Sequence, residues 1–286
     1  MHTFEYARPD NLSEALSLLN EHGSQARVLA GGTDLIVGMR SGKLSARIVI
    51  DLKRVAELRP GITEHDGALR IGAAVVLTDV IDDERVKDAF PALVEAASVV
   101  GSVQIRNRAT LAGNICNASP AADTVPALMI YNAVVNTVSG SGERRVPLVE
   151  FFVGPGQTVL RPDEIVTSID LPFPERPIGA AFERIARRRG MDLATVNVAC
   201  SVTGDGVTRF AYGAVGPTAF VVDDRSGRLA DPAVGEEDKE RLLKDLAAQA
   251  SPISDVRASR EYRQAMLTVL GKRTLATALG RLRRVL

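Results

Sequence analysis

A pair of glycines after a short apolar run is the first feature that could bind a ligand. Residues 28–35 read Val-Leu-Ala-Gly-Gly-Thr-Asp-Leu, which predicts a strand, a glycine turn, a hydroxyl group and the start of a helix. Glycines let backbone N–H groups face a ligand without a Cβ clash, and a helix N-terminus adds partial positive charge. The pattern indicates a backbone cradle for phosphate, and an ordinary tight turn is the alternative interpretation.

A second candidate occupies residues 106–123, which are rich in small and polar side chains. This segment carries too many such side chains for a core element, so we expect a loop that lies close to a polar ligand. In this interpretation Thr110 and Asn114 donate hydrogen bonds and Asp123 accepts from ribose hydroxyls. The alternative is a polar loop stabilised by its own Asn and Ser side chains. Two such loops in one chain favour a single extended ligand that contacts both.

The third candidate is an arginine run within Phe-Glu-Arg-Ile-Ala-Arg-Arg-Arg-Gly-Met-Asp at 182–192. Arginines 187–189 could neutralise a diphosphate or dock an acidic partner, and a solvated basic turn is the alternative. The common fingerprints of phosphate-binding loops, Rossmann dinucleotide sites and nucleophile elbows are missing from the sequence. Cys116 is expected to be a small buried side chain, since nothing around it indicates an activated thiolate.

These candidates depend on the elements that must position them. Asn11 is predicted to cap a first helix, with Glu14 as its capping partner and Gly23 as the stop. The apolar patterns predict strands at 27–30, 47–51, 69–75, 196–202 and 208–215, and helices from Thr78 or Asp79, from Pro91, and at 126–130, 236–250 and 262–282. The proline-rich stretch 171–177 is predicted to be a linker that divides the chain into 1–176 and 177–286. Strands and separate helices favour an α+β fold over a regular βαβ alternation.

The composition narrows the possible functions. The 286 residues carry 35 Lys and Arg against 35 Asp and Glu, and this zero net charge argues against a nucleic-acid partner. No apolar run approaches the roughly 20 residues needed to cross a bilayer, and the N-terminus lacks the apolar region of a signal peptide. Two cysteines and three histidines argue against a disulfide framework, a zinc site or a four-thiolate iron–sulfur cluster. We therefore expect a cytoplasmic protein without a metal site of its own.

The same motifs resemble the FAD-binding medium subunit of the molybdenum hydroxylases, the family of aerobic carbon monoxide dehydrogenase and bacterial xanthine dehydrogenase. The resemblance extends over nearly the whole chain, through Phe-Glu-Tyr-x-Arg-Pro at 4–9, Ala-Gly-Gly-Thr-Asp-Leu at 30–35, and the segments 106–128, 154–172 and 187–199. It implies an α+β protein with an FAD-binding domain of the p-cresol methylhydroxylase (PCMH) type, made of two α/β subdomains. A smaller α/β C-terminal domain similar to that of the carbon monoxide dehydrogenase flavoprotein would follow at 177–286.

The resemblance also implies the cofactor contacts. Loop 28–35 matches the stretch around the FAD diphosphate, and the segment that begins at Thr110 matches a second diphosphate and ribityl contact. A basic residue beside the flavin would be Arg184 or one of arginines 187–189. The implied cofactor-binding residues are Val28, Leu29, Ala30, Gly31, Gly32, Thr33, Asp34, Leu35, Val100, Gly101, Ala109, Thr110, Gly113, Asn114, Asp123, Val166 and Arg184. No residue of this chain is implied to be catalytic or to bind a metal.

Thr33 stands where the carbon monoxide enzymes have His, which does not favour carbon monoxide as the substrate. Because the loop has neither His nor Cys, the resemblance implies noncovalently bound FAD. It further implies an electron relay in which a large subunit holds the molybdenum cofactor and a small subunit holds [2Fe–2S] clusters, in a dimer of heterotrimers. The substrate and the electron acceptor are then not encoded in this chain. The alternatives are a free-standing FAD-dependent oxidoreductase with its own substrate pocket, and a non-enzymatic nucleotide-binding protein.

Overall fold

The computed structural model describes residues 3–59, 61–188 and 190–286. The described strands are β1 Glu5–Ala7, β2 Ala26–Leu29, β3 Ile48–Asp51, β4 Ile62–His65, β5 Ala68–Gly72, β6 Val134–Ser139, β7 Gly142–Pro147, β8 Phe152–Gly154, β9 Gln157–Thr158, β10 Ile165–Pro172, β11 Ile178–Ile185, β12 Val196–Thr203, β13 Thr208–Gly213 and β14 Phe220–Asp224. The described helices are α1 Leu12–His22, α2 Leu35–Arg40, α3 Leu77–Asp82, α4 Glu84–Ala89, α5 Pro91–Ser98, α6 Val103–Arg106, α7 Leu111–Cys116, α8 Thr124–Ile130, α9 Glu236–Leu246 and α10 Arg260–Val285.

The N-terminal part is a three-stranded parallel sheet in the order β1-β3-β2, against which α1 packs. Helix α1 begins as predicted, because Asn11 Oδ1 accepts from the Glu14 N–H at 2.9 Å. The Glu14 carboxylate in turn accepts from the Asp10 N–H at 3.1 Å, one residue before the expected partner. Gly23 ends the helix at a φ of 50°, a left-handed conformation that glycine adopts without strain.

Two large antiparallel sheets follow, and strands β8 and β9 form a separate antiparallel pair. The first has the order β4-β5-β10-β6-β7, and a core of apolar side chains lies between it and helices α3, α5, α7 and α8. The second has the order β11-β12-β13-β14 and carries α9 and α10. Strand β12 alternates between two cores, since Val198 and Cys200 pack with α10 while Ala199 packs with the first core. The separation of the strands and helices confirms the predicted α+β fold.

Helix α5 and helix α10 both contact the edge strand β11. Glu95 of α5 accepts a hydrogen bond from the Phe182 N–H at 2.8 Å, and Arg281 of α10 donates to the Ala180 carbonyl at 2.5 Å. Arg281 also pairs with Glu95. This cluster joins residues on both sides of the predicted division at 176/177, so the two parts share one packed interface.

Several predicted bounds differ from the structure: the strands predicted at 69–75 and 208–215 end at Gly72 and Gly213. Two further differences concern the elements around the candidate loops. Helix α3 begins at Leu77 and not at Thr78 or Asp79, because Val76 pairs with Thr110 in a β-bridge and the Leu77 N–H donates to the Ala109 carbonyl at 2.8 Å. Residues 110–123 are not all loop, because they contain helix α7, whose apolar side chains are buried. Of the helices that the described residues form, none is long and apolar enough to cross a membrane.

Candidate functional site

A cavity of about 710 Å³ lies where the first two candidate loops meet. Its volume is within the range of small-molecule and cofactor sites, roughly 300–1,000 Å³. All the implied cofactor-binding residues except Leu29 and Arg184 line it. The cavity therefore brings together loop 28–35, the start of α7, the segment around Val100 and strand β10.

Leu29 points away from the cavity for a geometric reason. Successive side chains of a strand point to opposite faces, so Val28 and Ala30 face the cavity while Leu29 faces the other side of the parallel sheet. There Leu29 packs with Met39 and Val49. Leu29 therefore supports the loop by packing behind it and does not contact the cavity.

The glycine loop fits tightly against the second segment. A Cβ on Gly31 would lie 2.1 Å from the Arg108 carbonyl oxygen, so any side chain there would separate the two loops. Gly32 has a φ of +79°, in the left-handed region that glycine favours. Among the described residues, no protein acceptor faces the N–H groups of Gly32, Thr33 and Asp34. These amides remain available to an anionic ligand.

The second segment supplies side-chain donors at the start of α7. Thr110 is the N-cap, and its Oγ1 accepts from the Gly113 N–H at 2.9 Å. Because a hydroxyl also carries a proton, Thr110 can still donate. Asn114 Oδ1 accepts from the Thr124 hydroxyl at 2.6 Å, which assigns the side-chain NH₂ of Asn114 as the remaining donor. The geometry supports the predicted donor roles.

Asp123 is a buried carboxylate with an exposed fraction of 6%. Its Oδ2 accepts from Arg184 Nη1 at 2.5 Å, and its Oδ1 accepts from Asn197 Nδ2 at 3.0 Å. Burial raises the pKa of Asp123 to about 6, against the opposing effect of Arg184 and Asn197. Arg184 thus acts on the cavity through Asp123, and a carboxylate oxygen has lone pairs left for a ligand hydroxyl.

The arginine run lies on the turn between β11 and β12, which we call the cavity hairpin (residues 186–188 and 190–195). Arg187 pairs with Asp192 at 3.1 Å within the hairpin, while Arg188 donates to the Met191 carbonyl at 2.7 Å and also lines the cavity. Arg189 lies outside the described residues. Of the described arginines in this run, Arg188 is the one that lines the cavity, and Arg187 is engaged within the turn.

Several lining residues were missed by the sequence analysis. Met191 and Leu193 are 58% and 57% exposed although apolar, and both line the cavity. Lys53 lies beside the glycine loop, with its Nζ 2.7 Å from Asp51 and 3.5 Å from the Ala30 carbonyl. Lys53 could have been found from its position shortly after the predicted strand at 47–51. Strands β2 and β3 are parallel, so the residues that follow both strands lie at the same edge of the sheet.

Cys116 also lines the cavity, and it is half-buried where the sequence analysis expected a buried side chain. Desolvation raises the pKa of its thiol to about 12, so the thiol stays protonated at neutral pH. In the described parts of the chain, no group of three or more His, Cys, Asp and Glu side chains could hold a metal ion.

Known proteins are similar to this chain over nearly its whole length. A family model described as the FAD binding domain in molybdopterin dehydrogenase matches residues 2–174, and one described as the CO dehydrogenase flavoprotein C-terminal domain matches residues 180–278. The chain is 33% identical over 280 residues to a xanthine dehydrogenase FAD-binding subunit of Escherichia coli O157:H7, covering 96% of each chain. It is 34% identical over 283 residues to the carbon monoxide dehydrogenase medium chain of Hydrogenophaga pseudoflava, covering 97% of this chain and 98% of the relative.

A solved structure of reconstituted CO dehydrogenase from Oligotropha carboxidovorans superposes with a TM-score of 0.91 at 28% identity, covering 98% of this chain and 99% of the other. The extent of these matches confirms the resemblance noted from the motifs. The chain therefore belongs to the family of FAD-binding domains in molybdopterin dehydrogenases, with the C-terminal domain of the CO dehydrogenase flavoproteins.

Proposed function

We propose that this chain binds FAD noncovalently in the 710 Å³ cavity and serves as the electron-transfer subunit of a molybdenum-containing hydroxylase or dehydrogenase. The observation that carries the proposal is that the glycine loop and the N-terminus of α7 line the same cavity. Its relatives, named as an FAD-binding subunit and a medium chain of two dehydrogenases, support the same function.

The residues present fit FAD. The closely packed Gly31 and the available N–H groups after it form an anion cradle, and Lys53 places a cation beside that cradle. Val166 and Leu193 line the cavity with apolar side chains, against which the faces of a flavin ring can pack. We propose the implied residues that line the cavity as direct contacts, and Leu29 and Arg184 as supports behind its walls.

When bound, FAD supplies two-electron redox chemistry that no side chain of this protein can provide, linking the [2Fe–2S] clusters of a partner to an external acceptor. The residues of the chain bind, orient and shield the cofactor. Thr110 and Asn114 donate hydrogen bonds, and Asp123, oriented by Arg184 and Asn197, accepts one from a cofactor hydroxyl. Met191 and Leu193 reduce the access of water to the cavity.

The chain would act in a heteromeric complex, as the medium chains among its relatives indicate. We propose a large subunit with the molybdenum cofactor and a small subunit with [2Fe–2S] clusters, assembled as a dimer of heterotrimers in the cytoplasm. We also propose the domain division 1–176 and 177–286, which the proline-rich segment between β10 and β11 supports.

The proposal is tested by purifying the full chain, alone and with its co-purifying partners, and quantifying flavin, molybdenum and iron. We expect one FAD per chain, and metals only in the complex. Gly32→Val should deplete FAD because it forces a β-branched residue to a φ of +79° and puts its Cβ 2.7 Å from Leu29 Cδ1 behind the loop, which displaces the backbone that forms the cradle. The matched control is Gly67→Val, since Gly67 has a φ of +72° with open space around it and does not line the cavity.

A colourless protein that cannot be reconstituted with FAD would contradict the proposal and favour the nucleotide-binding alternative. A yellow protein that oxidises a small molecule without partner subunits would favour the free-standing oxidoreductase. Equal FAD loss in the two glycine variants would show that the effect is a general one of backbone strain.

A further inference from the structure

Three charged residues of the C-terminal part form a cluster behind the cavity hairpin. Asp255 accepts from Arg257 Nη2 at 2.7 Å through one oxygen and from Arg263 Nη2 at 2.8 Å through the other. Arg263 is 1% exposed, and its Nε has no hydrogen-bond partner among the described residues. A guanidinium group this deeply buried is expensive unless its remaining donors are used for something specific.

Both arginines of the cluster donate to backbone carbonyls at the base of the cavity hairpin. Arg257 Nη1 donates to the Ala194 carbonyl at 3.3 Å, and Arg263 Nη1 donates to the Thr195 carbonyl at 2.5 Å. Ala194 directly follows Leu193, which lines the cavity together with Met191. The cluster therefore holds the backbone next to the residues that form this wall.

Arg263 also connects to a second segment of the cavity lining. Its Nη1 donates to the Ala214 carbonyl at 3.1 Å, and the Ala214 N–H donates to the Pro120 carbonyl at 2.7 Å. Ala214 has a φ of 61°, a conformation that alanine adopts only when its surroundings hold it there. The neighbours of Pro120 on both sides line the cavity.

The described residues at the tip of the hairpin have few other attachments. Arg187 and Arg188 bond within the turn itself, and Arg184 donates to the Asp192 carbonyl at 3.2 Å and to the Gly190 carbonyl at 3.4 Å. A segment with two exposed apolar side chains and few bonds to the rest of the protein opens at low free energy unless its base is fixed.

We propose that Asp255, Arg257 and Arg263 are positioning residues that hold the base of the cavity hairpin, at Ala194 and Thr195, and thereby keep Leu193 in the wall of the cofactor cavity. This inference rests on the proposed function only for the identity of the ligand. Hydrogen bonds from both arginines keep the cluster charged, because they lower the pKa of Asp255 below its ordinary value although burial opposes this. The cluster touches no cofactor itself, so its effect is on the wall and not on the chemistry.

The test uses the full chain with three variants at two half-buried arginines. Arg257→Met breaks the contact to Ala194, and Arg257→Lys keeps a positive charge that can restore it. Arg209→Met is the matched control, because Arg209 pairs with Asp223 in the same sheet at similar burial without lining the cavity. Amide hydrogen exchange of the hairpin is measured in the FAD-free protein, and the FAD dissociation rate and flavin absorbance shape are measured in the loaded protein.

We expect Arg257→Met to accelerate amide exchange in the hairpin and FAD release by about ten-fold, the population change that the loss of one ordinary hydrogen bond produces. Arg257→Lys should restore most of both, and Arg209→Met should change neither. Unchanged hairpin exchange in Arg257→Met, or an equal change in Arg209→Met, would overturn the proposal. An unaltered protein that holds no FAD would instead refute the proposed function, whereas exchange in the FAD-free protein still measures whether the cluster holds the hairpin.

Discussion

The buried pair of Asp123 and Arg184 makes a prediction about stability that is opposite to the usual expectation for an ion pair. The pKa of Asp123 rises from the ordinary value of 3.8 to about 6, because desolvation outweighs the attraction of Arg184. A shift of roughly two units corresponds to about 3 kcal/mol. Since Asn cannot ionise, Asp123→Asn should remove this penalty.

The sign follows from proton binding. Between about pH 4 and about pH 6 the folded protein binds more protons at Asp123 than the unfolded chain does, so the contribution of this group to stability falls as the pH rises. It is fully present below the unfolded pKa of 3.8 and is lost above a folded pKa of about 6. The variant should therefore match the unaltered protein near pH 4 and exceed its free energy of unfolding by up to about 3 kcal/mol near pH 8.

The assay is urea unfolding of the FAD-free chain across this pH range, with the difference between the variant and the unaltered protein taken at each pH so that other groups cancel. Asp170→Asn is the control of opposite sign. Asp170 is also buried, but hydrogen bonds from Arg70 lower its pKa despite desolvation. Its replacement should destabilise the protein at neutral pH, with the difference vanishing as the pH falls through the folded pKa.

A difference for Asp123→Asn that is constant with pH, or an unaltered protein that is more stable near pH 8, would refute the reasoning. Either result would show that Arg184 repays the desolvation of Asp123. The FAD affinity of the same variant tests the role of Asp123 in binding. We expect it to fall, because contacts with the cofactor should offset the cost of burying the Asp123 carboxylate in the free protein.

Three further predictions concern single positions. Gly31→Ala should weaken FAD binding and destabilise the chain by about 1–3 kcal/mol, since its Cβ would lie 2.1 Å from the Arg108 carbonyl oxygen; calorimetric FAD titration and urea unfolding measure both, and an unchanged affinity would contradict the close packing of the loops. Cys116 should resist iodoacetamide in the folded protein because burial raises its pKa to about 12; labelling at the rate of a free thiol would show that the site is open. Glu95→Gln should lower the free energy of unfolding by about 1 kcal/mol through the lost pair with Arg281, and an unaltered urea midpoint would show that this contact does not stabilise the interface around β11.

Local hydrogen bonding explains the elements that the sequence predicts well. The side chain of Asn11 bonds three residues ahead, and Gly23 ends the same helix by its own backbone freedom. Such contacts are complete within a few residues, so their pattern is visible in the sequence. The motif around the two glycines belongs to this class, since its turn requires a left-handed residue at Gly32.

Contacts between distant segments explain the elements that the sequence predicts poorly. The start of α3 depends on the pairing of Val76 with Thr110, and nothing near Val76 in the sequence indicates it. The motif resemblance groups Leu29 with the cofactor contacts, yet the alternation of β2 turns its side chain toward Met39. The set of residues that line the cavity therefore differs from the motif at positions where packing decides the direction of a side chain.

The sequence by itself determined the family, the α+β class, the glycine loop and two segments that line one cavity, because each depends on residue types within short segments. Only the tertiary structure decided that Asp123 pairs with Arg184, 61 residues away, and that the cavity hairpin forms a wall of the site. It also placed Asp255 and its two arginines behind that wall. The physical reason is that the path of the folded chain sets which distant side chains meet, and this path depends on the whole core.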